Sequence, residues 1–133
     1  MSSYQDDVND WMQRCFGPEI SADKQERAFR FLEEALELGQ ALNVTREEAL
    51  TLVEYVFGRD IGAPHQEVGG VQVTLAALCN AIDLNMEMCG VAELARCETK
   101  IDKIRAKHAA KPVGVRTALP GILPSQAEAT ENS

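Results

Sequence analysis

The stretch HQEVGGVQVTLAALCNAI, residues 65–82, is apolar on nearly every side if it is wound into a helix. After Glu67 its only polar interruptions are Gln72, Thr74 and Asn80. A helix that is apolar all round is enclosed by protein rather than laid on a surface. Since a chain of 133 residues builds a single core, we expect a second subunit to complete the cover of this helix.

Part of the same stretch also fits a strand. The segment VQVTL (71–75) alternates with period two and follows two glycines. The continuation AALCNAI has no such alternation and favours a helix. Only 5% of the residues are aromatic, and Ala, Leu and Glu are abundant, which is typical of helical proteins. We therefore predict an all-α fold: a bundle of about four to five helices, completed by dimerisation.

Start and stop signals predict the other helices. The proposed helices cover residues 4–16, ended by Gly17-Pro18; a long segment from Ser21 or Asp23 to about 43; 46–57, opened by a Thr45–Glu48 capping box; and 87–110. From Pro112 the sequence becomes rich in Pro, Gly, Ser and Thr. The prediction is one all-α domain over residues 1–111 and a flexible tail over 112–133.

The charge and the cysteines limit the classes of function. A formal net charge of −8 is unsuited to binding a nucleic acid polymer. No run of 18 apolar residues predicts a membrane span, and the first residues do not resemble a secretory signal. The four cysteines form no CxxC pair, so they are predicted to be small buried thiols in a reducing cytoplasm.

Carboxylates mark the candidate site. On the long helix, Glu33, Glu34 and Glu37 fall within an arc of about 100°, opposite an apolar stripe. A solvated acidic face, with Arg30 paired to Glu34 at i, i+4, is one interpretation. Glu67 shares a helix face with apolar residues, so it is predicted to point inward. A buried carboxylate that faces other carboxylates needs a cation, and oxygen ligands suit Mg²⁺.

These two segments resemble the all-α nucleoside triphosphate pyrophosphatases, the MazG-like superfamily. FLEEALELGQAL (31–42) matches the family's E-E-x-x-E motif, and QEVGG (66–70) supplies the glutamate of its second motif, E-x-x-D. The resemblance covers roughly residues 22–110. It implies a homodimer or dimer of dimers in the cytoplasm. It also implies that Glu33, Glu34, Glu37 and Glu67 bind Mg²⁺, with Mn²⁺ as the alternative.

The implied reaction converts a nucleoside triphosphate, by expectation a dNTP, to the monophosphate and pyrophosphate. Among the metal-binding glutamates, Glu34 is the candidate base that accepts a proton from the attacking water. The family places basic residues of its last helix near the phosphates, which suggests Lys100 and Lys103, although a solvated basic helix end is an equal alternative. Trp11 is a candidate for stacking on the base, with a core position as the alternative.

The sequence departs from the family pattern at Gly70, where the second-motif aspartate is expected. Glu54 or Asp60, in the connection between the motifs, is a candidate replacement, although an exposed position suits either of them. Gly70 also supports another hypothesis, a non-catalytic helical nucleotide-binding or regulatory module with a degenerate metal site. A purely structural dimeric bundle with a solvated acidic face is the third alternative.

Overall fold

The computed structural model describes residues 1–110, and the predicted tail at 112–133 lies outside the described residues. Within this range the chain is all-α, with no strand, as predicted. Residues 71–75 are helical, so the strand alternative for them is wrong. The six helices are α1 (Tyr4–Ala22), α2 (Lys24–Ala41), α3 (Arg46–Phe57), α4 (Pro64–Ala81), α5 (Met86–Glu98) and α6 (Ile101–Ala110).

The first helix is interrupted where the sequence predicts its end. A Ser3–Asp6 capping box starts α1, because each side chain accepts a hydrogen bond from the other residue's backbone N–H. At Gly17 the backbone leaves the helical region, with φ of 80° and ψ of 177°. Glycine adopts this positive φ without steric cost, and Pro18 then restarts the helix without needing a backbone donor.

The starts of α2 and α3 follow the predicted caps. The Asp23 carboxylate accepts from the backbone N–H of Glu26 at 3.1 Å, which selects Asp23 over Ser21 as the start signal. Thr45 accepts from the N–H of Glu48 at 3.1 Å, and the Glu48 carboxylate accepts from the N–H of Thr45 at 3.0 Å. The predicted capping box is therefore confirmed, together with the 46–57 helix that it opens.

Helices α2 and α4 end in the same way. Asn43 and Asp83, 40 residues apart, both adopt the left-handed conformation, with φ of 69° and 58°. The N–H groups of the next residues, Val44 and Leu84, donate back to carbonyls five residues earlier, each at 3.0 Å. Such bonds close a helix whose next residue has positive φ. The following helix then starts at once in both cases.

The single helix predicted over 87–110 is wrong, because α5 and α6 are separate. The Thr99 hydroxyl donates to the Arg96 carbonyl at 2.8 Å, and the backbone N–H of Thr99 donates to the same oxygen at 3.2 Å. A threonine side chain that occupies a helix carbonyl competes with the regular helical hydrogen bonds. The helix therefore closes with short-range bonds at residues 99–100, and α6 begins at Ile101.

The described chain divides into two compact units, residues 1–33 with 96–110, and residues 34–95. In the first unit α1 packs on α6, and Met12, Cys15 and Glu26 are buried. In the second unit the buried residue among those described is Cys79. Residues 50–74 are all exposed in the single chain, so the expected cover of the helix over 65–82 by a second subunit stays a prediction.

The apolar helices of the second unit also bear on membrane insertion. No single helix within residues 1–110 is long and apolar enough to cross a membrane. Helices α4 and α5 meet the length and composition criteria only as a pair, and they are bent by 100° at the break between them.

An exposed ion pair joins α1 to the end of α5 within the first unit. Arg14 contacts the Glu98 carboxylate with both terminal nitrogens, and the Nη1–Oε2 distance is 2.7 Å. A guanidinium that holds both oxygens of a carboxylate favours its charged form. The bond to Arg14 accordingly lowers the pKa of Glu98 from its ordinary value of 4.5.

The left-handed turn at Asn43 generates a first prediction. Asn43→Ala should lower the free energy of unfolding by about 1 kcal/mol, because a β-carbon without a compensating side-chain bond disfavours positive φ. Asn43→Gly, the matched control, should be as stable as the wild type or more stable. Urea denaturation would measure both variants, and equal stability of the Ala and Gly variants would contradict the prediction.

The Arg14–Glu98 pair generates a second prediction. Since the pKa of Glu98 is lowered by folding, the pair stabilises the fold above pH 4.5, and the stabilisation is lost as the pH falls through the folded-state pKa. Glu98→Gln should therefore lower the melting temperature at pH 7 more than at pH 3. A difference from the wild type that is the same at both pH values would show that the ion pair contributes nothing.

Candidate functional site

The first carboxylate motif lies along α2 as predicted from its spacing. Glu33 is half-buried, and its Oε2 accepts a hydrogen bond from Arg30 Nη1 at 2.8 Å. Glu34 and Glu37 are exposed. Arg30 therefore forms a local ion pair with Glu33 at i, i+3, whereas the sequence predicted Glu34 as its partner.

Glu67 lies in the first turn of α4, where the positive end of the helix dipole favours a carboxylate. The prediction that it points inward is wrong for the single chain, since Glu67 is exposed. Its carboxylate folds back against Gly62 in the preceding loop, and a β-carbon at position 62 would overlap it. The glycine thus makes room for the glutamate beside the loop.

The remaining acidic candidates are all exposed. Glu54 lies on α3 and Asp60 lies in the loop that follows. At Gly70 a β-carbon would meet nothing within 4 Å. The glycine there is consequently not required by packing within the chain, and a side chain fits sterically. Within residues 1–110, no three His, Cys, Asp or Glu side chains are arranged to hold a metal ion.

The donor set of the four predicted ligands still fits a hard divalent cation by its chemistry. Glu33, Glu34, Glu37 and Glu67 supply only carboxylate oxygens, which Mg²⁺ prefers over nitrogen or sulfur. Arg30 neutralises part of the charge at Glu33. The Glu67 carboxylate lies beside Gly62 and is exposed.

The candidate phosphate-binding lysines do not share one continuous helix. Lys100 stands in the turn before α6, where its carbonyl accepts from the N–H of Ile104 at 2.9 Å. Lys103 and Lys107 follow on α6 itself, and all three lysines are exposed. Lys100, whose carbonyl accepts the first hydrogen bond of α6, therefore stands at the start of the helix that carries Lys103 and Lys107.

Trp11 is half-buried on α1. Its ring meets the edge of Phe16, with the ring centroids 6.0 Å apart and the planes at 80°. The indole N–H is buried and has no hydrogen-bond partner among residues 1–110. This arrangement agrees with the core interpretation of Trp11. Its proposed role in stacking on a base stays a prediction.

A buried charge cluster was missed by the sequence analysis. The Glu26 side chain is only 5% exposed, and its Oε1 accepts from Arg30 Nε at 2.9 Å. Arg27 Nη2 lies 3.5 Å from the same oxygen, and His108 Nδ1 lies 3.9 Å from it. A buried carboxylate is costly unless it is paired, and two guanidinium groups supply the pairing here.

Aromatic rings cover this charge cluster. The Phe16 ring lies 5.1 Å from the His108 ring, between centroids, and 5.8 Å from the Arg27 guanidinium carbon. His108 therefore packs between α1 and the buried carboxylate. Burial lowers the pKa of Arg27, and the charge of Glu26 opposes that shift.

Arg30 connects the cluster to the candidate site. Its guanidinium bonds to Glu26 in the core and to Glu33 in the carboxylate motif, and the Arg30 side chain is 17% exposed. A planar guanidinium fixed at one end holds its second partner in a defined orientation. Arg30 therefore orients Glu33 from within the core of the first unit.

The cysteines follow the predicted pattern in part. Cys15 and Cys79 are buried free thiols, Cys97 is half-buried and Cys89 is exposed. Burial raises the pKa of the Cys15 thiol, so it stays protonated and less reactive. The two buried thiols thus act as small apolar side chains.

Comparison with known proteins adds no family assignment. No protein-family model matches the chain, and no curated protein or solved structure matches it at a significant level. The MazG-like resemblance therefore stays a prediction that rests on the residues themselves, on E-E-x-x-E over 33–37 and on Glu67 at the start of α4.

The buried pairing generates a third prediction. Arg30→Met should lower the free energy of unfolding by about 3 kcal/mol, because it leaves the Glu26 carboxylate short of a partner in the core. The double variant with Glu26→Met should recover most of this loss, since it removes the charge as well. Chemical denaturation would measure both variants. Arg46→Met, at an exposed position, is the control and should change stability by less than about 0.5 kcal/mol.

Should the double variant be no more stable than Arg30→Met alone, the loss would come from packing around the arginine stem. The buried charge would then not be its cause.

Proposed function

We propose that this protein hydrolyses nucleoside triphosphates, preferentially dNTPs, to the monophosphate and pyrophosphate with Mg²⁺ bound. The observation that carries the proposal is the pair of carboxylate segments in the order of the two family motifs, with the first motif matched position for position. Three carboxylates project from one sector of α2, and Glu67 stands in the first turn of a second, apolar helix. Oxygen donors alone make up this set, which suits a hard cation.

In the proposed site, Glu33, Glu34, Glu37 and Glu67 hold the metal, with Mn²⁺ able to replace Mg²⁺. The chemistry supplied by bound Mg²⁺ is neutralisation of the triphosphate charge and orientation of a water molecule. Arg30 fixes one oxygen of Glu33, which leaves the other oxygen for the metal.

Side chains of the protein accept the proton and bind the phosphates. Glu34 accepts a proton as water attacks the α-phosphorus, and the bond from that phosphorus to the bridging oxygen breaks to release pyrophosphate. Lys100 and Lys103 bind the phosphate oxygens as point charges. Trp11 contacts the base through its indole. The active form is proposed to be a cytoplasmic homodimer or dimer of dimers.

A non-catalytic nucleotide-binding or regulatory module is the second candidate. Gly70 favours it, because the position expected to hold a metal-binding aspartate has open space around it and no side chain. In this alternative the nucleotide binds through the same lysines without hydrolysis. If Glu54 or Asp60 replaced the missing aspartate as a metal ligand, the protein would still be an enzyme; both residues are exposed.

The enzymatic proposal generates a fourth prediction. Glu37→Gln and Glu67→Gln should each lower dNTP hydrolysis by at least about 100-fold, because each removes a charged metal ligand worth several kcal/mol in the transition state. Release of monophosphate and pyrophosphate from a panel of (d)NTPs with Mg²⁺ would measure the effect. Both residues are exposed, so the melting temperature should change little.

Glu19→Gln is the matched control, since Glu19 is an exposed glutamate outside the candidate site. It should retain the wild-type rate. Wild-type rates in both site variants would refute the site assignment. Absence of turnover by the wild type, combined with a nucleotide-dependent thermal shift, would support the module instead.

A further inference from the structure

The second unit contains a segment with no buried residue at all. Every residue from 50 to 74 is exposed, a range that includes the end of α3, the connecting loop and the first half of α4. We call this segment the α3–α4 arm. Its large apolar residues are all exposed: Leu50, Leu52, Val53, Tyr55, Val56, Phe57, Ile61, Val68, Val71 and Val73.

Such an arm is not stable on its own in water. Helix α3 has 12 residues, and isolated helices below about 12–15 residues are marginal even in alanine-rich sequences. Valine and the aromatic residues, which are frequent in the arm, are weaker helix formers than alanine. Helices in proteins are stabilised mainly by packing of an apolar face, and within residues 1–110 no residue of this arm is buried.

The exposed apolar area is large enough for a stable interface. Phe57 is 83% exposed and Ile61 is fully exposed. At on the order of 100 Å² each, the ten large apolar residues expose roughly 1,000 Å², against about 800 Å² that one partner contributes to a stable interface. A patch of this size marks an interaction surface rather than ordinary scattered exposure.

The chemistry of the arm points to a second copy of the same chain. Its charged residues are Glu54, Arg59, Asp60 and Glu67, too few and too mixed in sign to select a charged partner. The tail of the same chain is a weaker candidate for covering the arm, because it has only half as many large apolar residues. Residues 111–133 contain five, Val113, Val115, Leu119, Ile122 and Leu123, against ten on the arm.

A surface that must be covered for its helices to form also needs a partner present whenever the chain folds. Identical copies meet this requirement, as in obligate homodimers. In an isologous contact, each copy contributes the same apolar patch to the interface.

We propose that the α3–α4 arm is a dimerisation element that packs against the α3–α4 arm of a second copy. Apolar side chains of α3 and α4 face their counterparts, and the two arms together form a helical core that neither chain has alone. This inference stands on the exposure of residues 50–74 and does not depend on the proposed hydrolase activity.

The first test uses the unmodified protein. Light scattering after size exclusion should give a mass of at least twice the 14.6 kDa of one chain. The melting temperature should rise with protein concentration, because mass action stabilises a dimer. Amide hydrogen exchange should show protection over residues 50–74. A monomeric mass at 50 µM, with unprotected arm amides, would overturn the proposal.

One substitution distinguishes an arm that packs on a second copy from an arm that is exposed to water. Val73 is 70% exposed in the single chain. If the arm were solvated, Val73→Lys should be neutral or stabilising, since lysine is the better helix former. If the arm packs on a second copy, the same change should shift the protein to monomer or lower its melting temperature markedly. Gln5→Lys, at an exposed position on α1 in the other unit, is the control.

Two outcomes would overturn the proposal even if a dimer were found. One is a dimer that survives Val73→Lys with an unchanged melting temperature, which would locate the interface elsewhere. The other is a monomer that floats with phosphatidylglycerol-containing vesicles while Val73→Lys does not, which would assign the apolar arm to a lipid surface.

Discussion

The buried carboxylate of Glu26 is the charge around which the first unit is built. Arg30 and Arg27 approach it from the same helix, and His108 approaches it from α6. Arg27 also contacts the sulfur of Met12 at 3.8 Å. One acidic group thus fixes the positions of side chains from three helices. A charge in a core is tolerated only when such partners surround it, so the packing of this unit follows from its neutralisation.

The same interaction extends to the candidate site. Arg30 has one side bound to Glu26 and the other to Glu33, the first residue of the carboxylate motif. The orientation of Glu33 is therefore set by its bond to Arg30, which is itself bound in the core. Glu34 and Glu37, by contrast, are exposed. A carboxylate held by a guanidinium keeps a defined direction at little entropic cost when a ligand arrives. Helix α2 thus carries both the buried Glu26–Arg30 pair and the exposed Glu34 and Glu37.

What could be predicted from the sequence was the part governed by short-range chemistry. The Thr45–Glu48 capping box and the break at Gly17 depend on residues within one turn of each other, and both were predicted. The break at Thr99 was not predicted, because a hydroxyl that bonds back to a carbonyl leaves no periodic signal. The contact of His108 with Glu26 joins residues distant in sequence. The exposure of Glu67 was missed because the apolar pattern of α4 indicates burial without saying which chain supplies the cover.

The matching turns at Asn43 and Asp83 bear on how quickly the protein folds. Each is closed by a hydrogen bond between residues only five apart, and each is followed directly by a new helix start. Short loops close within about 10–100 ns, and helices propagate at nanoseconds per residue. Both turns therefore form from local contacts, which close early in folding. These turns are therefore expected to form before contacts between residues distant in sequence, such as those of α1 with α6.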